Sequence, residues 1–426
     1  MATGDIETAA PLSPRRLWAS IALLTLVAIM NTGDRLLPGI LMEPIKHDLA
    51  LSDTAIGLIN GFGFLIVYAV VGLPIARLSD RGAYGLVIAA ALGLWSAMTF
   101  LGAYAQSGWQ FALSRVGVAV GESGSAPASH AFIAANFAPA RRGVPLAVLT
   151  MAMPIAIMLV TWGGAVAGQS LGWRTTFMIM GGIGIVLCPL VLIIMGRSFP
   201  VAQTPSPQTK SLLSVFGLLR KRSFLLILLG AACIAIGGYS VVAFGAAFLM
   251  RVHHMDLAQM GRLYGIASGV AGTAGIIVAG LLSDRLSARD PRWTLWVLAL
   301  MITALIPFAL AAFLVPDMRV ALVCMGLIQI VNVAYLAPAI LAIQQLVPAD
   351  ARASASALLL TFNSIAGGLG PLLTGMISDS LTPALGHMAL AWAMLVIPAA
   401  YAAGALLFAA ASINFRQDMC EQAPTA

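Results

Sequence analysis

Twelve apolar runs, each long enough to cross a bilayer, leave this chain little choice of solvent. They lie at about 17–38, 55–76, 84–105, 108–136, 144–168, 173–195, 223–250, 257–282, 293–315, 318–345, 353–377 and 387–411. A spanning helix needs about 20 predominantly apolar residues, and in hydrocarbon only a helix or a closed barrel satisfies its own backbone. Charged residues make up 9% of the 426 and the mean hydropathy is +0.96, whereas soluble domains carry about 25% charge. The pattern predicts an all-α integral membrane protein with twelve transmembrane helices. The leading MATGDIETAAPLSPRR carries acids where a cleavable signal would be basic, so the first span is expected to be retained.

The net charge of +7 would suit a nucleic-acid partner were the cations gathered on one surface patch. They are instead sorted by loop. Of 23 Lys and Arg, sixteen fall on one side of the spans, five (Lys46, Arg174, Arg251, Arg262, Arg319) on the other, and Arg35 and Arg115 inside spans. The positive-inside rule then puts both termini and the 197–222 loop in the cytoplasm, so the basic pI reports topology and no nucleic acid is expected. Short loops and the lack of an N-x-S/T sequon fit a bacterial inner (plasma) membrane. Cys188, Cys233, Cys324 and Cys420 show neither zinc nor disulfide spacing; no metal or cofactor is expected.

A Pro-, Ser- and Lys-containing linker at 197–222, with a short surface helix expected at 212–219, separates an N-terminal six-helix half (1–196) from a C-terminal one (223–426). The halves repeat. ARLSDRGAYG (76–85) after the second span matches GLLSDRLSAR (280–289) after the eighth, FAPARRGVPLAV matches LVPADARASASAL, and glycine clusters recur in the spans that follow. This 6+6 duplication, the D-R motif, the linker and LGWRTTF (171–177) resemble the major facilitator superfamily. The resemblance implies two pseudo-symmetric six-helix bundles that alternate access to a central site. It further implies a cytoplasmic gate built from Asp80, Arg81, Arg141, Asp284 and Arg285, although Gly82-Ala83 stand where that family's motif adds basic residues.

Only four charges lie inside spans: Asp34, Arg35, Arg115 and Glu122. Each costs at least about 2.5–3.5 kcal/mol in hydrocarbon unless paired or facing a cavity. At 1.5 Å per residue, Asp34 and Arg35 lie about 5–7 Å from the outer end of the first span, Arg115 roughly 10 Å and Glu122 roughly 21 Å down the fourth. Seven residues apart, Arg115 and Glu122 share a helical face. Arg115 is placed to meet Asp34, and Glu122 to meet Arg35 or Arg115. Glu122, followed by Asp34, is the expected proton carrier, and the arginines the ion-pair and substrate groups.

MNTGDRLLP in the first span and SRVGVAVGESGSAPASHAF in the fourth look like bacterial spinster-like transporters, whose relatives are associated with lysophospholipids and sphingoid lipids. Against these charges the second half offers only neutral polar groups, Tyr239, Gln329, Asn332, Tyr335 and Asn363. A wall so poor in hydrogen bonds suits an amphipathic substrate better than a sugar. The expected function is therefore alternating-access transport, driven by the proton gradient, of a lipid-like substrate by a monomer in the bilayer. The alternative is a proton-coupled multidrug or organic-anion transporter. A remote one is an intramembrane serine protease built on Ser123 in G-E-S-G, which lacks a histidine in reach as general base.

Overall fold

In a computed structural model the described residues are 13–79, 83–138, 141–196, 219–348 and 351–420. They are helical, with no strand among them. We label the helices α1 (Pro14–Ile40), α2 (Met42–Leu49), α3 (Asp53–Gly57), α4 (Phe64–Ser79), α5 (Tyr84–Gly102), α6 (Gly108–Glu122), α7 (Ser125–Asn136), α8 (Gly143–Thr150) and α9 (Ala152–Met195). After the linker come α10 (Arg222–Val252), α11 (Leu257–Ser287), α12 (Trp293–Leu314), α13 (Met318–Ala334), α14 (Leu336–Gln345), α15 (Arg352–Leu385), α16 (Ala389–Ala393) and α17 (Val396–Cys420). The surface helix expected at 212–219 lies, but for Leu219, outside the described residues.

Among the described residues, nine helical stretches are long and apolar enough to cross a membrane. Two of these, Gly143–Met195 with 53 residues and Ser354–Met419 with 66, are long enough for two crossings each. They turn at Gly172 (φ +81°) and Gly386 (φ +55°), backbone conformations that a Cβ would strain. The expected fourth span is divided instead of continuous: α6 ends at Glu122 and α7 starts at Ser125. Pro127 explains the division, since it has no N–H for the Ser123 carbonyl and is tolerated only in a helix's first turn. Counted this way the nine stretches make eleven crossings, and with α6 and α7 taken as one divided crossing the described residues are consistent with the twelve expected. The second span begins irregularly too, α3 passing through a π-helical turn at Leu58–Gly63 into α4.

By compactness the described residues form two units. One draws on Met1–Arg35, Val67–Ile157 and Ser170–Thr204, the other on Leu36–Ile66, Met158–Gln169 and Pro205–Ala426. Lipid is as apolar as a helix flank, so close approach of backbones, not hydrophobic expulsion, holds such helices. In the first unit a Cβ on Gly121 would lie 2.7 Å from the Trp95 nitrogen, and one on Gly181 2.5 Å from the Ser96 carbonyl. These contacts draw α6 and the second limb of α9 onto α5. Trp173 packs edge to face on both Phe111 and Phe177 beside them, the two phenyl rings tilted against each other, with centroids 5.6–6.1 Å apart. In the second unit α10 packs on α15 and α17, with Phe224, Phe244, Phe408 and Phe415 fully enclosed. A Cβ on Gly370 would sit 2.1 Å from the Ile236 carbonyl there.

Candidate functional site

The four intramembrane charges form two linked pairs inside the first unit. Asp34, 2% exposed, accepts a hydrogen bond from the Thr99 hydroxyl at 2.5 Å and one from Arg115 Nη1 at 3.3 Å. Arg115 Nη2 also donates to the backbone carbonyl of Asp34, at 3.3 Å. That carbonyl is available for a local reason. In a helix it would accept the N–H four residues on, but residue 38 is a proline and has none. Pro38 thus gives Arg115 a second acceptor, and the guanidinium fork engages side chain and main chain of one residue.

Arg35, next along α1, points to a different partner. Its Nε donates to Glu122 Oε2 at 2.5 Å, and its guanidinium carbon lies 4.3 Å over the Tyr68 ring. Glu122 is fully buried and its Oε1 has no hydrogen-bond partner. It is the last residue of α6, where the Gly121 contact with Trp95 and the Pro127 break together hold it between α1 and α5. Arg35 keeps 27% of its side chain exposed, Glu122 none. Of the two partners open to Glu122 from spacing alone, the geometry selects Arg35. Thr99 and Tyr68 were not expected here: a lone Thr or Tyr in an apolar span gives no signal until packing sets it beside a charge.

In the second unit the neutral groups join one another. The Tyr401 hydroxyl donates to Asn332 Oδ1, and Asn332 Nδ2 donates to Gln329 Oε1 at 2.5 Å. The Tyr335 hydroxyl donates to Asn363 Oδ1 at 2.6 Å. Tyr335 is where α13 gives way to α14. Tyr239 is half-buried, its ring within 2.6 Å of where a Gly367 Cβ would stand. Tyr401 is an addition to the expected set.

A third cluster lay outside the sequence reading. Asp53, a loop residue by hydropathy, is 1% exposed. It accepts from Arg251 Nη1 and Nη2 at 2.7 and 2.8 Å, from Lys46 at 2.5 Å and from the Ser378 hydroxyl at 2.7 Å. Arg251 Nε reaches Glu43 at 2.7 Å. Asp379 accepts the N–H groups of Asp53 and Thr54 at 3.0 and 2.8 Å, capping α3. These residues tie 43–54 to the ends of α10 and α15. Their signal in the sequence, three acids and a lysine in LMEPIKHDLALSD, is that of any solvated loop.

Of the expected gate, Asp80 and Arg81 lie outside the described residues, as does the side chain of Asp284, while Arg141 and Arg285 are exposed. The neighbouring Arg142 caps the end of α7, donating to the carbonyls of Phe137 and Ala134 at 2.9 and 2.7 Å. The Ser123 hydroxyl donates to the Val120 carbonyl at 2.8 Å, closing its own helix turn.

The chain matches the model of the Major Facilitator Superfamily over residues 24–371. It is 49% identical over 420 residues to an MFS-type efflux pump of Mycolicibacterium smegmatis, covering 98% of each chain. The chain belongs to the major facilitator superfamily. It is therefore a membrane transporter and not an enzyme, which removes the protease reading of Ser123. Within the family this transporter resembles spinster. A crystal structure of a bacterial homolog to the human lysosomal transporter spinster, inward-facing and unoccupied, matches with a TM-score of 0.81 and 25% identity, over 96% of this chain and 98% of that one. Protein spinster of Drosophila melanogaster is 26% identical over 288 residues, 65% of this transporter and 47% of its relative.

Proposed function

We propose that this transporter exports amphipathic, lipid-like molecules in exchange for protons by alternating access. It acts as a monomer in the bacterial inner membrane with both termini cytoplasmic. The observation that carries the proposal is Glu122: fully buried, one carboxylate oxygen on Arg35 and the other with no partner. An acid so placed holds a proton at Oε1 when neutral and leans on Arg35 when charged. Neighbouring Asp34 already has Thr99 and Arg115, which leaves Glu122 to cycle and Asp34 to hold α1 and α6 in register.

The direction of exchange constrains the substrate. Protons driven inward expel substrate only if the two compete, so the substrate loads while Glu122 is charged and leaves when a proton arrives from outside. A headgroup that competes with a proton for a carboxylate is a cation. An ammonium-bearing amphipath of the sphingoid or lysophospholipid type fits, its ammonium displacing Arg35 from Glu122 while its tail faces apolar surface. Export is favoured over import by the likeness to an efflux pump across the whole chain. That likeness also favours cationic drugs as a second substrate class. Gln329, Asn332, Tyr335, Asn363, Tyr239 and Tyr401 are the polar groups we assign to substrate contact in the second unit. Asp80, Arg81, Arg141, Asp284 and Arg285 are assigned to the cytoplasmic gate.

The test is flux in proteoliposomes of a fluorescent lysophospholipid, a sphingoid amine and a cationic dye, with an imposed pH gradient of either sign. Uptake driven by an acid vesicle lumen, lost in Glu122→Gln together with exchange of labelled for unlabelled ammonium substrate, is the expected result. Undiminished gradient-driven flux in Glu122→Gln refutes the proton assignment. Transport of the dye alone refutes the lipid assignment and leaves coupling intact.

A further inference from the structure

Away from these groups, where α12 enters the membrane, a cavity of about 250 Å³ is lined by Asp290, Arg292, Trp293, Trp296 and Leu300. Its polar lining is one acid and one arginine, unequally engaged. Asp290 is already taken: it pairs with Arg416 at 2.9 Å and accepts the N–H of Arg292 at 3.0 Å. That N–H, followed by Arg416, holds its carboxyl below the usual carboxylate range. Arg292 is half-buried, makes no ion pair of its own within hydrogen-bond distance among the described residues, and its Nε donates to nothing. Arg416, brought beside the lining by its pair with Asp290, adds a second guanidinium to the one carboxylate, so the mouth carries an excess positive charge.

The remaining lining is apolar and runs in one direction. Trp293, Trp296 and Leu300 fall at i, i+3 and i+7 on α12, one face of the helix, and are 37%, 39% and 54% exposed. At 1.5 Å per residue this stripe extends about 10 Å along the helix from the arginines. Tryptophan is the residue that settles at the headgroup level, and basic pockets beside membrane helices on the cytoplasmic side take anionic headgroups.

We infer that this cavity binds an anionic phospholipid, its phosphate on Arg292 and Arg416 and an acyl chain along Trp296 and Leu300. The apolar stripe is what distinguishes a lipid from a free phosphate ester, which would use the arginines alone. The site is independent of the transport pathway assigned above.

Native mass spectrometry of the purified, delipidated transporter tests it, titrating phosphatidylglycerol against phosphatidylcholine, with glycerol 3-phosphate as the competitor lacking chains. Phosphatidylglycerol is expected to bind first, and Arg292→Gln and Arg416→Gln each to weaken it about five-fold, as one interfacial charge is worth. In reconstituted protein, bromine-labelled phosphatidylglycerol is expected to quench tryptophan emission more than bromine-labelled phosphatidylcholine, the excess vanishing in Trp296→Phe. Equal retention of both lipids by wild-type protein, or equal quenching, overturns the inference whether or not the arginine variants fold. Displacement of the lipid by equimolar glycerol 3-phosphate overturns the lipid in favour of a soluble phosphate ester.

Discussion

Asp34 and Arg35 are adjacent, yet each serves a different partner, because successive helical residues point about 100° apart. Asp34 anchors Arg115 by both its carboxylate and, through the missing N–H of Pro38, its carbonyl. Pro38→Ala returns a donor to that carbonyl, which then competes with Arg115 Nη2. We expect a folded protein with reduced transport, read as flux per correctly inserted molecule in vesicles. Asp34→Ala is harsher. It takes the Asp34 carboxylate away from buried Arg115, a loss on the order of 3–5 kcal/mol where such a pair is broken from one side. Thermal unfolding in detergent measures it, and Asp34→Asn, whose Oδ1 still accepts from Arg115 while its Nδ2 donates to the Thr99 hydroxyl, is expected to lose less.

At the scale of an element, glycine decides where helices bend and where they touch, and its positions are not equivalent. Gly172 (φ +81°, ψ 161°) turns α9 and has no atom within 4 Å of an added Cβ. Gly172→Ala therefore costs backbone strain alone, on the order of 1–3 kcal/mol. Gly163 is helical with equally open space around it, so Gly163→Ala is expected to be neutral or slightly stabilising. Gly57 is the opposite case: its Cβ would meet the Pro371 carbonyl at 2.3 Å, backbone that cannot step aside. Gly57→Ala is expected to separate α3 from α15 and lower the melting temperature more than the other two. An equal shift in all three variants would contradict the assignment of distinct roles. Asp317 adds a pH-dependent element. It caps α13 through the N–H groups of Val320 and Arg319, which hold its carboxyl below the ordinary range. The cap's contribution is complete above the ordinary carboxylate pKa of about 3.9 and is lost as pH falls through the lower native value.

For the molecule as a whole, the compact units and the halves expected from the sequence divide the chain differently. The halves expected from the sequence repeat put residues 36–66 with the first six spans; packing groups them with residues 158–169 and those from 205 on. Asp53 is the reason at atomic scale, buried under Arg251, Lys46 and Ser378. Arg251→Gln removes its bidentate partner and leaves only Lys46 as a cation. Spin labels at positions 47 and 387 are expected to report a longer, broader distance in Arg251→Gln than in wild type. An unchanged distance distribution would show that the segment is held by its glycine contacts with α15 and not by charge.

Much of this protein was written in its hydropathy. The need to satisfy every backbone group in lipid forces helices, and the expense of charge there makes four residues stand out in 426. Their pairing was half legible, because spacing along a helix sets depth and face but not which neighbour arrives there. Only tertiary packing chose Arg35 for Glu122, brought Thr99, Tyr68 and Tyr401 to polar groups, and freed the Asp34 carbonyl for Arg115. Packing alone also buried Asp53. A charged loop reads the same whether water or a guanidinium neutralises it, and the difference is made by a residue 198 positions away.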